Sequence, residues 1–277
     1  MELYRKNNLD CSKITTHNYS TTFSLGLRVM NRKYSEGIYC LYGFLRYADE
    51  IVDTFFEQDQ RIIFEEFRQE TFKAIDRKFS INPIIDSFQM AVHKYKIDLE
   101  LVEAFLLSME LDLTHDTYSP ELLKTYIYGS AEVVGLMCLR VFYYNDPERY
   151  EKLKAPICKF GMALQKVNFL RDASDDFKEK GRIYFKNIDF SNFTLETKKH
   201  LEDEIEKDFL DAMVGIRQLK KPVRLGVYLV YNYYMNLLKE IKKARPDEIL
   251  NKRYRITNTK KSFLLVNAYF INRLNLL

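Results

Sequence analysis

Apolar residues recur at intervals of three and four along most of this chain, the spacing that gathers them on one face of an α-helix. The pattern predicts helices over 34–56, 61–78, 84–95, 98–113, 120–143, 150–178, 199–219 and 223–244. Breakers fall between them at Asn82-Pro83, Ser119-Pro120, Asn145-Asp146-Pro147 and Arg245-Pro246, where the residue before proline is steered away from helix. Helical periodicity is weakest over 179–194, which predicts an ordered loop. No shift in composition marks a boundary, so residues 1–277 read as one all-α domain.

Composition narrows the picture without changing it. Nine glycines and six prolines in 277 residues disfavour a turn-rich β design, and the length allows a core deep enough to enclose a pocket. The net charge of +4 is too small to argue for nucleic acid, although residues 251–261 are locally basic. Cys11, Cys40, Cys138 and Cys158 form no C-x-x-C pair, which suits reduced thiols and a cytoplasmic setting. No secretory signal pattern opens the sequence. The longest uncharged apolar-rich run, Leu225 to Leu238, has 14 residues, short of the ~20 that span a bilayer. Membrane contact is therefore expected to be peripheral.

Charge is distributed unevenly, and this is where candidate chemistry enters. LRYADEIVD, residues 45–53, carries Asp49 and Asp53 four apart, and LRDASDD repeats that spacing at Asp172 and Asp176, 123 residues later. Residues i and i+4 share a helix face, so each pair projects side by side. A solvated acidic face is one explanation. Against it, Tyr39, Tyr42, Phe44, Leu45, Ile51 and Val52 surround the first pair with apolar groups, and buried carboxylates need cations. Gln165, Asn168, Asp172 and Asp176 form a polar line on an otherwise apolar helix. Oxygen donors without neighbouring His or Cys suit Mg²⁺, with Mn²⁺ as the alternative, and Mg²⁺ commonly bridges carboxylates to phosphates. Arg46 and Arg171 stand near enough to pair with an acid or to share a phosphate's charge. Arg182, Arg253, Arg255, Lys260 and Lys261 are later candidates. Glu50 points a quarter-turn away from the pair and receives no role.

Taken together, YCLYGFLRYADEIVD (39–53) and QKVNFLRDASDDFKEKGRIYF (165–185) resemble the two aspartate-rich signatures of the squalene/phytoene synthase family, the head-to-head prenyl transferases. YSTTF (19–23), LLSMELDL (106–113) and YIYGSAEVVGLM (126–137) extend the likeness over nearly the whole chain in the family's order. The resemblance implies an all-α isoprenoid synthase fold, a single helical bundle around a central apolar cavity. It implies Asp49, Asp53, Asn168, Asp172 and Asp176 as metal ligands, and Arg46 and Arg171 on diphosphate oxygens. It also places Phe23, Tyr42, Tyr128, Ala131, Gly135 and Gln165 in the substrate cleft, with Asp112 as a cleft-facing acid. Two departures are visible: Glu132 follows Ala131 where the family has glycine, and Lys186 replaces a proline after the second signature.

The activity implied is condensation of two prenyl diphosphates through a cyclopropylcarbinyl diphosphate, with Mg²⁺ and without NADPH. The expected product is phytoene from two geranylgeranyl diphosphates, on the carotenoid branch. Alternatives are a thirty-carbon product from farnesyl diphosphate (dehydrosqualene, hydroxysqualene or squalene), a terpene cyclase, and a non-catalytic assembly factor. Donor chain length and oligomeric state are not readable from one sequence.

Overall fold

The computed structural model describes residues 1–115, 117–178, 193–249 and 251–274, and of 174–178 the backbone alone. Its regular elements are helices: α1 (Glu2–Tyr19), α2 (Thr21–Arg28), α3 (Arg32–Thr54), α4 (Gln60–Arg77), α5 (Pro83–Tyr95), α6 (Leu99–Thr114) and α7 (Pro120–Ile127). A π-helical turn, Tyr128–Glu132, joins α7 directly to α8 (Val133–Tyr143). Then come α9 (Pro147–Lys178), α10 (Leu195–Gln218), α11 (Lys221–Lys243), a short α12 (Pro246–Ile249) and α13 (Asn258–Arg273).

The helix boundaries follow local chemistry. Asn82 Oδ1 accepts from the backbone N–H of Ile84 and Ile85, and Pro83 takes the first helical position, where its missing N–H costs nothing. Ser119 and Pro120 start α7 in the same way. The proline dipeptides that separate helices in the sequence are thus helix starts. Pro156 lies inside α9, and α10 crosses it at Gly215, where an added Cβ would lie 2.7 Å from the proline ring.

Two apolar clusters fill the bundle. One centres on α3, α5, α6 and α8, where Phe44 stacks on Phe88 with ring centroids 3.7 Å apart. The other joins α9, α10, α11 and α13. Phe23 and Val227 touch both clusters, and a cavity opens between them.

Helices α1, α2, α12 and α13 lie outside the periodicity-based expectation, α1 and α13 for opposite reasons. The inward face of α1 is polar: Asn8, Ser12, Thr15 and Thr16 are its buried residues. Asn8 donates to Asp86 at 2.8 Å, and the Ser12 and Ser87 hydroxyls bond at 2.6 Å. The helix is therefore held by hydrogen bonds where an apolar stripe would be expected. Helix α13 carries apolar residues on both its inner and outer sides, which erases the periodic contrast.

The run Pro120–Tyr143 is long and apolar enough, by length and composition alone, to cross a membrane. It escapes a search for uncharged runs because Glu121, Lys124, Glu132 and Arg140 interrupt it. In the fold it packs against α6 and α9. All four cysteines are free thiols.

Close crossings set the helix spacing. A Cβ on Gly226 of α11 would stand 2.5 Å from the Gly26 carbonyl oxygen of α2. Gly226→Val should therefore force these helices apart, lowering stability by about 1–3 kcal/mol. A urea midpoint unchanged from the parent would show that the crossing is not tight.

Candidate functional site

The cavity between the two clusters has a volume of about 790 Å³, toward the upper end of the ~300–1,000 Å³ typical of small-molecule sites. Leu27, Met30, Ile38, Phe105, Leu139 and Phe142 line its apolar part, and each is buried. The polar end opens to solvent. Asp49 and Asp53 of α3 line it there, and Asn168 and Asp172 of α9 line it from a second wall.

Each wall carries its own counter-charge. Arg46 donates to Asp49 at 3.2 Å and to Glu50 at 2.6 Å, so one guanidinium spans both acids. Its plane lies over the Tyr19 ring, 4.4 Å from the centroid. The Thr54 hydroxyl donates to the other Glu50 oxygen at 2.9 Å. Glu50 thus has a place after all: it anchors Arg46 from the far side of Asp49. On α9, Arg171 grips Asp172 with two nitrogens, Nε at 2.9 Å. Arg253, from the segment after α12, reaches the same carboxylate at 2.7 Å. Burial opposes the charge on Arg171, but the bond to Asp172 and the electrostatic influence of Tyr234, Asp172 and Tyr233 together outweigh it, and its pKa is raised.

Hydroxyls order the remaining polar groups. Tyr234 of α11 donates to Asn168 Oδ1 at 3.1 Å, and Asn168 donates to Gln165 at 3.5 Å. Burial raises the Tyr234 phenol and pushes Tyr42 up to about 12, so both keep their protons. Tyr42 stacks on Phe23 with centroids 4.9 Å apart. Tyr118 and Tyr126 donate to the two oxygens of Asp112 at 2.6 and 2.9 Å.

Of the residues singled out in the sequence, Phe23, Tyr42, Arg46, Asp49, Asp53, Asp112, Ala131, Gly135, Gln165, Asn168, Arg171 and Asp172 all line this one cavity. Tyr128 does not. It is 42% exposed and absent from the cavity wall, where Tyr126 stands in its place. In a regular helix Tyr128, Ala131 and Gly135 would share a face; the π turn adds a residue, turning the preceding segment by about 100° relative to that expectation. Gly129 lets this turn lie against α6, since a Cβ there would meet the Ala104 carbonyl oxygen at 2.3 Å. The side chain of Asp176 and residues 182 and 186 lie outside the described residues. Arg255 is exposed, Lys260 pairs with Glu240 and Lys261 bonds Thr21. Tyr19, Glu50, Tyr126 and Tyr234 were not anticipated; the density of tyrosines in YLVYNYY (228–234) was the available signal for the last.

The donor chemistry fits a hard cation. Asp49, Asp53, Asn168 and Asp172 bring oxygen donors to the polar end, and among the described residues no histidine lines the cavity. Burial pushes the Cys138 thiol up to about 12, which leaves it a neutral, poor ligand. Among the described residues no three His, Cys, Asp or Glu side chains converge on one point, so the acids form two separate half-sites. Such a layout suits Mg²⁺ bound through one or two carboxylates together with ligand phosphates.

Comparison with known proteins matches this geometry to a family. The sequence model described as squalene/phytoene synthase matches residues 16–260. The chain is similar to a phytoene synthase of Arthrospira platensis, 24% identical over 92% of this chain and 90% of that one. It is also similar to a 4,4'-diapophytoene synthase of Staphylococcus haemolyticus, 25% identical over 88% and 90%. In fold it resembles a dehydrosqualene synthase crystal structure, with a TM-score of 0.81, 17% identity and coverage of 97% and 98%.

Ser130 Oγ, on the cavity wall, is buried and has no hydrogen-bond partner among the described residues. Ser130→Ala removes an unsatisfied hydroxyl and should raise stability by about 1 kcal/mol in urea titration. A fall of similar size would show that the hydroxyl is bonded in solution.

Proposed function

Because the chain belongs to the squalene/phytoene synthase family, whose members are prenyltransferases, we propose that it condenses two geranylgeranyl diphosphates head to head to form phytoene. One observation carries this reading: a single cavity joins an apolar, aromatic-lined depth to a mouth bearing two carboxylate walls, each already paired with arginine. Prenyl diphosphates have the same polarity, an apolar chain ending in a multiply charged head.

In this reading the donor heads lie at the mouth and the chains in the depth. Mg²⁺ held by Asp49, Asp53, Asn168, Asp172 and Asp176 would supply the positive charge that neutralises the departing diphosphate. Arg46, Arg171 and Arg253 add fixed positive charge aimed at the same anion, which is electrostatic help concentrated where charge develops. Loss of diphosphate leaves an allylic cation on the chain. The rings of Phe23, Tyr42, Phe105, Phe160 and Phe169 line the cavity, and aromatic faces stabilise a cation by about 0.5–2 kcal/mol per contact. Their bulk also keeps water away from it. Carbon 1 of one donor then joins the carbon 2–3 double bond of the second and loses a proton as the three-membered ring closes, giving the cyclopropylcarbinyl diphosphate. A second ionisation, rearrangement and proton loss yield the hydrocarbon. Tyr42 and Tyr234 keep their protons and act as hydrogen-bond donors.

The 4,4'-diapophytoene synthase relative, as similar as the phytoene synthase, favours a second reading, with the fifteen-carbon donor. Incubation with Mg²⁺ and labelled geranylgeranyl or farnesyl diphosphate, without NADPH, separates the two. Phytoene from the twenty-carbon donor is expected; product from the fifteen-carbon donor alone would overturn the first reading in favour of the second, and a cyclised product from one donor would reject both.

Glu50 supplies a further check as a positioning residue. Glu50→Ala should lower kcat/KM about 10–100-fold by releasing Arg46, and Glu50→Gln, which keeps an acceptor, should lose less. Equal losses for the two variants would argue that Glu50 does not act through this bond.

A further inference from the structure

Glu132, which stands where the family pattern has glycine, closes the π turn between α7 and α8. Its backbone is helical, with φ −67° and ψ −47°, so the position accepts a side chain without strain. The turn is the unusual element here: the Val133 N–H reaches back five residues to the Tyr128 carbonyl, a rare geometry that recurs at functional sites. Backbone contacts wedge it between its neighbours. Gly129 lies against the Ala104 carbonyl of α6, and on the other side a Cβ on Gly161 of α9 would stand 2.6 Å from the Ala131 carbonyl oxygen and 3.1 Å from Glu132 Cα. Ser130, Ala131 and Gly161 all line the cavity, so the seam between the turn and α9 is part of its wall.

A line of polar groups holds this seam from behind. The half-buried Glu132 carboxyl accepts a hydrogen bond from the Cys158 thiol, three residues before Gly161. Burial pushes that thiol up to about 12, so it keeps its proton and can only donate to the acid. Burial also raises the Glu132 carboxyl, while Cys158 and Lys159 act against the rise. Next along α9, Lys159 donates to Asp208 of α10 at 2.9 Å, and Lys166 donates to the other Asp208 oxygen at 2.7 Å. Glu132, Cys158, Lys159, Lys166 and Asp208 are all absent from the cavity lining. Polar contacts thus run from the π turn across α9 to α10 on the side away from the cavity, with Asp208 and Lys166 almost fully buried and satisfied by each other.

We propose that Glu132 is a positioning residue, which fastens the π turn to α9 through Cys158 and so fixes the cavity wall at Ser130 and Ala131. The seam needs such a fastener. Where backbone lies directly on backbone at Gly161, no side chains interlock, and the turn is free to slide along α9 unless a contact outside the seam holds it. Gly161 stands seven residues before Asn168, about 10 Å along the helix axis. In the function proposed above, on which this role rests, the seam therefore faces the donor's hydrocarbon chain, while the charged head stays with the acids and arginines at the mouth.

The test is isothermal titration of the full chain in Mg²⁺ with two probes. Inorganic pyrophosphate reads the mouth alone; farnesyl thiodiphosphate, whose bridging sulfur slows ionisation, reads the mouth and the chain-binding wall together. Glu132→Ala should weaken the thiodiphosphate about three- to tenfold and leave pyrophosphate unchanged. Glu132→Gln keeps an acceptor for the thiol and should stay within about twofold of the parent for both probes. Cys158→Ala should reproduce Glu132→Ala, and the double variant should lose no more than either single one, because all three remove the same bond. Parent-like thiodiphosphate binding by both alanine variants would overturn the proposal, as would fully additive losses in the double variant. Equal weakening of both probes would also overturn it, since that marks a general loss of structure. A parent chain that binds pyrophosphate but not the thiodiphosphate would overturn the function proposed above and this role with it, an outcome separate from the others.

Discussion

The structure depends on neutralising carboxylates at the edge of an apolar cavity. An ionised acid beside so much hydrocarbon is unfavourable unless a cation stands against it. The chain meets that need from within the same helices: Arg46 lies one turn before Asp49 and Glu50 on α3, and Arg171 is adjacent to Asp172 on α9. Arg253 adds a second cation to Asp172 from a distant part of the sequence. The pairs are partly solvent-exposed, so their worth to stability is modest. Their effect on geometry is larger. The two-nitrogen, two-oxygen contact of Arg171 fixes the Asp172 carboxylate plane, and a guanidinium already oriented by an acid is oriented for phosphate as well.

A second requirement is that helices pack closely while leaving space inside. Glycine meets it at selected crossings. Gly26 and Gly226 let α2 and α11 meet backbone to backbone, and Gly161 brings α9 against the Ala131 carbonyl. All of these residues line the cavity as well as the crossings. The same backbone contacts that hold the wall together therefore define the cavity's inner surface, so a larger side chain there would disturb packing and shape together.

Most of this was legible in the sequence where a period or a charge pattern carried it. The eight periodic segments correspond to α3–α11, with boundaries within a few residues, because each buries one apolar face. The facing Asp49 and Asp172 were legible because carboxylates are rare among apolar neighbours. What escaped had no such signature. Helix α1 buries Asn8 and Ser12, whose bonds to α5 no apolar count detects. Tyr128 was misplaced because a π turn breaks the 3.6-residue rule at the point where Gly129 fits against α6. Glu50 went unassigned because its partner is chosen by the reach of a side chain, which helical phase alone does not give.

The cavity's two ends make opposite demands, and the helices satisfy them by register. Along α3, Ile38 and Leu41 line the depth while Arg46, Asp49 and Asp53 line the mouth. Along α9, Ile157, Phe160 and Leu164 line the depth, followed by Asn168 and Asp172. Each helix thus changes from apolar to charged over about two turns on a single face, and each makes that change toward its C-terminal end. Asp53 stands in the last turn of α3, where the partial negative charge of the helix end adds to that of the acid and strengthens its hold on cations. A surface that gathers cations at one end and only rings and aliphatic groups at the other separates charge along its length. In the function proposed above, cations held at the mouth would neutralise an anion leaving toward it, and the cation left behind would remain among rings and aliphatic groups.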